Sequence, residues 1–180
     1  MKELSPQEHD ALARARLLVL DVDGVLTDGR VVYAGEQELQ SFHVHDGQGL
    51  AWVRAAGIEI AWISGRGSRP TEIRASELGV RELHTRVKDK AQVLTEVQRQ
   101  LDLGPEVTVA MGDDLPDLGL ARRAAFFAAP ADARPEVRAR ADYVTEASGG
   151  AGAVRELCEL LLTARGAWEE HVAGAGHDRE

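Results

Sequence analysis

The 180 residues include 30 acidic and 21 basic side chains, a formal net charge of −9 at pH 7, with 44% hydrophobic and 28% charged residues. That is enough chain for one well-cored domain with a small excursion and short for two, and the composition is that of a folded protein, neither disordered nor fibrous. The acidic balance, with no Lys/Arg run interleaved with aromatics, argues against nucleic acid or anionic lipid as partner. The lone Cys158 cannot close an intramolecular disulfide and sits in the apolar run LCELLL, so a buried helix thiol in a reducing compartment is expected. Neither a signal-peptide core nor an apolar run of membrane-spanning length occurs, which predicts a cytoplasmic protein without membrane association.

Ser5-Pro6-Gln7-Glu8 is a helix entry, with Ser as N-cap, Pro at the first helical position and Glu three residues after the cap; the helix should run to about Arg14. Arg16 to Asp21, reading RLLVLD, is an apolar run too short for a helix, which suits a central strand buried on both faces. Ile58 to Ser64 and Val107 to Gly112 repeat the pattern, with weaker runs at Val80 to His84, Ala125 to Ala128 and Asp142 to Val144. Helical spacing fills Gly49 to Ala56, Thr71 to Leu78, Asp89 to Leu101, Leu115 to Arg122 and Gly152 to Ala164. Strands alternating with helices predict an α/β fold, a Rossmann-like parallel sheet in three layers. Arg30 to Val44 breaks the alternation and reads as a β-hairpin around Ala34-Gly35 projecting from the sheet. The expected organisation is one domain over residues 1–165, hairpin at about 30–44, and a flexible tail over 166–180.

In parallel sheets reactive groups gather beyond the carboxyl ends of the strands. The first strand ends in DVDGVLTDG, where Asp21 and Asp23 emerge together and Gly24 allows a sharp turn; two such carboxylates are costly unless a cation or shared proton compensates. Ser64-Gly65-Arg66 offers a hydroxyl, a backbone N–H and a cation, a cradle for phosphate. Lys90 opens a helix, and GDDLPDL supplies Asp113, Asp114 and Asp117; of Asp113 and Asp114, one should cap the next helix while the other meets the metal. A site built from Asp21, Asp23 and Asp113 suits a hard cation such as Mg²⁺, which implies a phosphorylated ligand. Either Asp21 or Asp23 could attack phosphorus, and spacing does not choose between them. His43 and His45, two apart on an expected strand, point to hairpin packing or substrate contact and not to zinc. Trp52, Trp62 and Trp168 read as core or interface aromatics, and of the three Trp168, near the tail, is the best placed to sit against another subunit.

In order, DVDGVLTDG, ISGR, KDK and GDDLPDL resemble the four motifs of the haloacid dehalogenase (HAD) superfamily of phosphohydrolases. Within it the chain resembles the small phosphatases without a cap domain that hydrolyse 3-deoxy-D-manno-octulosonate 8-phosphate, from about Arg16 through Arg165, including FHVHDGQG, ADYVT and GAVRELCELLL. The resemblance implies a Mg²⁺-dependent phosphoric monoester hydrolase in lipopolysaccharide precursor synthesis. Asp21 would be the nucleophile and Asp23 the acid and base. Asp21, the Asp23 carbonyl and Asp113 would hold the metal. Ser64 and Gly65 would bind phosphate, Lys90 would neutralise charge, and Asp114 and Asp117 would support the metal ligands or the helix start. It further implies a homotetramer assembled through the hairpin, a neighbour closing each site.

The chain departs from the family at Gly149-Gly150-Ala151-Gly152-Ala153, where a usual Arg is lost, at His45 in place of Arg or Lys, and at Thr85-Arg86 in place of Gln-Gly. Arg66 and Arg74 thus become the candidates for the substrate's carboxylate, followed by Lys88 and Arg86. Two other readings are a phosphatase for nine-carbon sialic or ketodeoxynonulosonate phosphates, against which Arg66 argues, and a non-catalytic assembly domain, against which the complete motif set argues.

Overall fold

The computed structural model describes residues 4–174. Helix α1 (Pro6–Ala13) starts as the sequence dictates: the Ser5 hydroxyl accepts from Glu8 N–H at 3.2 Å, and the Glu8 carboxylate accepts from Ser5 N–H at 2.6 Å. Strand β1 (Leu17–Leu20) has no exposed surface at any position, as a strand covered on both faces requires. It pairs in parallel with β4 (Glu59–Ile63) on one side and β6 (Thr108–Met111) on the other. Beyond β4 lies β5 (Glu82–His84); beyond β6 lie β7 (Phe126–Ala129) and β8 (Tyr143–Val144). The order β5-β4-β1-β6-β7-β8 reverses direction at β1, so the crevice beyond Leu20 is the topological switch point of the sheet.

Strand periodicity divides the core into two halves. Leu18, Leu20, Ile60, Trp62, Val109, Met111 and Phe126 enter one cluster, while Leu17, Val19, Ala61, Ile63, Ala110 and Phe127 enter the other. The first is completed by α1, α2 (Val44–Ala55) and α7 (Ala153–Ala164), the second by α4 (Lys90–Leu101) and α5 (Leu118–Ala121). Each fully buried Leu or Val stabilises this packing by roughly 1.5–3 kcal/mol.

The hairpin is present but shorter than expected: β2 (Val32–Ala34) and β3 (Gln37–Leu39) pair antiparallel, Val32 opposite Leu39. Among the described residues no cap domain covers the carboxyl edge of the sheet.

Several expectations are corrected. Helix α2 begins at Val44 instead of Gly49, so His43 is its N-cap and His45 lies within it; neither is on a strand. Glycine disfavours helix, but Gly47 leaves room for the Arg74 guanidinium, which lies 2.2 Å from where a Cβ would stand, and Asp46 fixes the first turn by accepting from Arg155 N–H at 2.7 Å. The helix expected over Leu115 to Arg122 is split into a 3₁₀ turn (Leu115–Asp117) and α5, because the Asp117 side chain turns back onto the preceding backbone. A short α6 (Pro135–Arg138) was not anticipated. Nor is 166–180 a tail throughout: α8 (Trp168–Gly174) forms, and residues 175–180 lie outside the described residues. Trp168 packs within its own chain, its ring 5.8 Å from that of Trp52, with the Arg155 guanidinium 4.3 Å from the Trp52 centroid and 5.5 Å from that of Trp168.

Candidate active site

Strand β1 ends by delivering Asp21 to the floor of a cleft of 370 Å³. The next residues turn at Gly24, whose φ of +93° suits glycine and where a Cβ would fall 2.2 Å from Asp113 Oδ2; glycine lets the β1 and β6 loops touch. Lys90, the first residue of α4 after its Asp89 N-cap, donates from Nζ to Asp21 Oδ1 at 2.6 Å and to Asp117 Oδ1. The other Asp117 oxygen accepts from the N–H groups of Asp113 and Asp114 at 3.0 and 3.1 Å. Of the two candidate caps, Asp114 starts the 3₁₀ turn and Asp113 lines the cleft.

Asp21, Asp113 and Asp117 present oxygens within 4.8 Å of one another. One lysine cannot balance three carboxylates, two of them buried and the third, Asp113, partly so. Burial, followed by the charge of Asp117, pushes Asp21 up to about 7 against the counter-pull of Lys90. Burial, followed by the charges of Asp21 and Asp117, pushes Asp113 up to about 8. Lys90 is held above its ordinary range because the attraction of Asp21 and Asp117 outweighs its own burial. Asp113 Oδ1 is buried without a hydrogen-bond donor. A buried, unpartnered carboxylate oxygen beside a second carboxylate fits a hard divalent cation. Both oxygens of Asp117 are already engaged, which leaves Asp21 and Asp113 as the side-chain donors.

Asp23 stands higher in the cleft, its side chain 20% exposed. Its Oδ1 accepts from Gln40 Nε2 at 2.9 Å; its Oδ2 accepts from Ser64 Oγ at 3.4 Å and lies 3.5 Å from Arg66 Nε. Arg66 N–H donates to Ser64 Oγ at 3.1 Å, and the Arg66 guanidinium pairs with Glu38 of the hairpin. The Gln40 carbonyl oxygen accepts from the hydroxyls of Ser68 and Thr71 at 2.5 and 2.7 Å, at the start of α3 (Arg69–Glu77).

Asp21, Asp23, Ser64, Gly65, Arg66, Lys90 and Asp113 therefore line one cleft. Arg74 does not: it points from α3 toward Gly47 and pairs with Glu77 at 3.1 Å. His43 and His45 meet edge to face at 5.0 Å and join no cluster of metal ligands among the described residues. Cys158 is fully buried, and burial drives its thiol well above the ordinary range, which rules it out as a nucleophile. Sequence reasoning missed Gln40 and Glu38, polar residues of a hairpin with nothing in their spacing to tie them to a strand end 17 residues away. It did name Asp117, but not its place beside Lys90 and Asp21.

Among known proteins, the profile of the haloacid dehalogenase-like hydrolases matches residues 60–157. The 3-deoxy-D-manno-octulosonate 8-phosphate phosphatase KdsC of Escherichia coli strain K12 is 41% identical over 170 residues, 92% of this chain and 90% of that protein. A crystal structure of the corresponding phosphatase from Moraxella catarrhalis, in complex with magnesium ion, phosphate ion and KDO, superposes with a TM-score of 0.91 at 36% identity, covering 94% of this chain and 98% of that one. The cobalt-bound phosphatase YrbI of Haemophilus influenzae gives a TM-score of 0.88 at 33% identity over 92% of this chain and 98% of that one. With the motif residues gathered at the switch point and relatives of this similarity along nearly the whole length, the chain belongs to the haloacid dehalogenase-like hydrolase family.

Proposed function

We propose that this protein is a Mg²⁺-dependent phosphomonoesterase that hydrolyses 3-deoxy-D-manno-octulosonate 8-phosphate to the free sugar acid and inorganic phosphate. The observation that carries the reading is the Lys90-bonded, buried Asp21 facing the unpartnered Asp113 oxygen at the floor of the cleft. The relatives' substrate supplies the sugar acid. Mg²⁺, held by the carboxylates of Asp21 and Asp113 with the Asp23 carbonyl, would draw negative charge off the phosphoryl group and keep both acids ionised. Lys90 holds Asp21 in one orientation and adds a second positive charge.

One oxygen of Asp21 attacks phosphorus while the bond from phosphorus to the sugar oxygen breaks, leaving an aspartyl-phosphate. Asp23 gives its proton to the departing oxygen. It then takes a proton from water, whose oxygen attacks the same phosphorus; the bond to Asp21 breaks and phosphate leaves. Burial distinguishes the two acids: Asp21 is 5% exposed and tied to a lysine, whereas Asp23 is nearer the mouth, where the leaving group and water must pass. Gln40 and Ser64 orient Asp23, and the Ser64 hydroxyl with the Gly65 N–H is suited to the phosphoryl oxygens.

The hairpin supports a homotetramer. Val31, Val32, Tyr33 and Leu39 are 42 to 64% exposed, and a two-stranded ribbon showing that much apolar surface is marginal without a partner. The reaction belongs to lipopolysaccharide precursor synthesis in the cytoplasm, a placement supported by the unpaired, buried thiol of Cys158 and the phosphorylated substrate. Among the described residues no helix is long and apolar enough to cross a membrane.

Phosphate release should be measured with the octulosonate 8-phosphate and a nine-carbon ketodeoxynonulosonate 9-phosphate, each with Mg²⁺ and with chelator. The expected result is metal-dependent turnover with preference for the eight-carbon ester. Preference for the nine-carbon ester would replace the substrate, and no metal-dependent turnover would remove the enzymatic reading.

A further inference from the structure

Two cations, one lining the cleft and one in the groove beside it, have no side-chain partner among the described residues. Lys88 lines the cleft and also an adjoining open groove of 550 Å³, whose wall includes Arg86. The other side-chain cations near this surface are committed: Lys90 to Asp21 and Asp117, Arg66 to Glu38 and Asp23, and Arg74, outside the cleft, to Glu77. The acids of the groove are engaged as well. Asp89 accepts from Gln92 N–H at 3.0 Å and Glu96 from the Gln92 side-chain amide at 3.0 Å. Among the described residues, the side chains of Arg86 and Lys88 make neither an ion pair nor a hydrogen bond.

The backbone at Arg86 adds a second observation. Its φ is 58°, in the left-handed region, which is strained for a residue with a Cβ. The turn is fixed by Arg86 N–H donating to the Arg66 carbonyl and Val87 N–H to the Ser64 carbonyl, each at 3.0 Å. It is thereby fastened to the loop that carries Ser64, Gly65 and Arg66. The Arg86 side chain crosses Gly67, where an added Cβ would stand 3.4 Å from Arg86 Cγ. For the fold alone glycine would serve better at position 86. An arginine kept there under strain, unpaired in a chain of net charge −9, points to an anionic ligand.

We propose that Arg86 and Lys88 form the subsite for a second anionic group of the substrate, the carboxylate of the sugar acid, while the cleft floor takes the phosphoryl group. The inference rests on the reading of the substrate as a phosphorylated sugar acid. It moves carboxylate recognition away from Arg66 and Arg74, whose charges are already answered within the chain. Guanidinium geometry suits a carboxylate with two parallel hydrogen bonds, and Lys88 adds a point charge between groove and floor.

The test is steady-state kinetics of the Mg²⁺-loaded full chain on 3-deoxy-D-manno-octulosonate 8-phosphate and on glucose 6-phosphate, which has no carboxylate. Arg86→Gln should lower the ratio of the two kcat/KM values about ten-fold, mainly through KM for the acid, and the double variant with Lys88→Gln should lower it further. Arg86→Lys should recover part of the loss. Lys88→Gln alone carries the test should the Arg86 variants fail to fold. An unchanged ratio overturns the subsite, even if both constants fall together, because that pattern marks Arg86 as a prop of the Ser64 loop. A wild-type enzyme with no preference for the acid overturns the substrate reading and the subsite with it.

Discussion

The floor of the cleft and the rim that surrounds it treat polarity and exposure in opposite ways. At the floor Lys90 is 7% exposed and Asp117 1%, and they hold each other and Asp21 in a closed network. Around it, Tyr33 on the hairpin is 64% exposed, and Arg86 and Lys88 lack partners among the described residues. The floor is built for one geometry, with a surplus of negative charge that a cation would relieve. Surface left unanswered at the rim is open to further contacts. The proposed reaction thus rests on the floor, and the proposed selectivity and assembly on the rim.

The severest way to break this division is Asp21→Asn. It should lower kcat by on the order of 10⁴ or more while circular dichroism and assembly stay as in the wild type. A variant with near-normal turnover would remove Asp21 from the nucleophile role. At the rim, Val32→Asp with Leu39→Asp puts two charges opposite each other on one hairpin face. If the proposed homotetramer forms through this ribbon, sedimentation velocity should show a smaller species, with turnover reduced by about ten-fold as each site loses the neighbour proposed to shield it from water. Unchanged sedimentation would detach assembly from this ribbon.

The smallest effect sharpens the comparison from the floor side. Asp21 and Asp113 have folded-state pKa values raised to about 7 and about 8 from 3.8, so between those limits the metal-free native state binds more protons than the unfolded chain. Its stability is therefore highest below the unfolded value and falls as pH rises through 7 to 8. Thermal unfolding in chelator should show Tm dropping by a few degrees from pH 5.5 to 8.5, and Mg²⁺ should flatten that slope. Equal slopes with and without Mg²⁺ would mean that the ion does not replace those protons.

The strand sequence LLVL, the strand-end aspartates and the serine after β4 were legible because each is set by local chemistry: burial on two faces, a sharp turn, a small hydroxyl before a helix. The start of α2 was not, because Gly47 and Gly49 weaken helical propensity and only packing against Arg74 and α7 makes them favourable. Helix α8 was hidden similarly, since Trp168 finds Arg155 and Trp52 only after the chain has folded back. Within the site, Asp21, Asp23, Ser64, Lys90 and Asp113 could be named from motif order. Gln40 could not, because its partners come from the β1 loop and α3. Arg74 carries the right charge, but its helix directs it toward Gly47 and away from its own chain's cleft.

Gln40 lies one residue beyond the end of β3, and its amide grips Asp23 on one side and the hydroxyls of Ser68 and Thr71 on the other. Ribbon, Asp23 and helix entrance are mechanically one piece: the hairpin cannot tilt far without dragging the carboxylate proposed to hand over the proton. In this protein the projecting arm is also a lever.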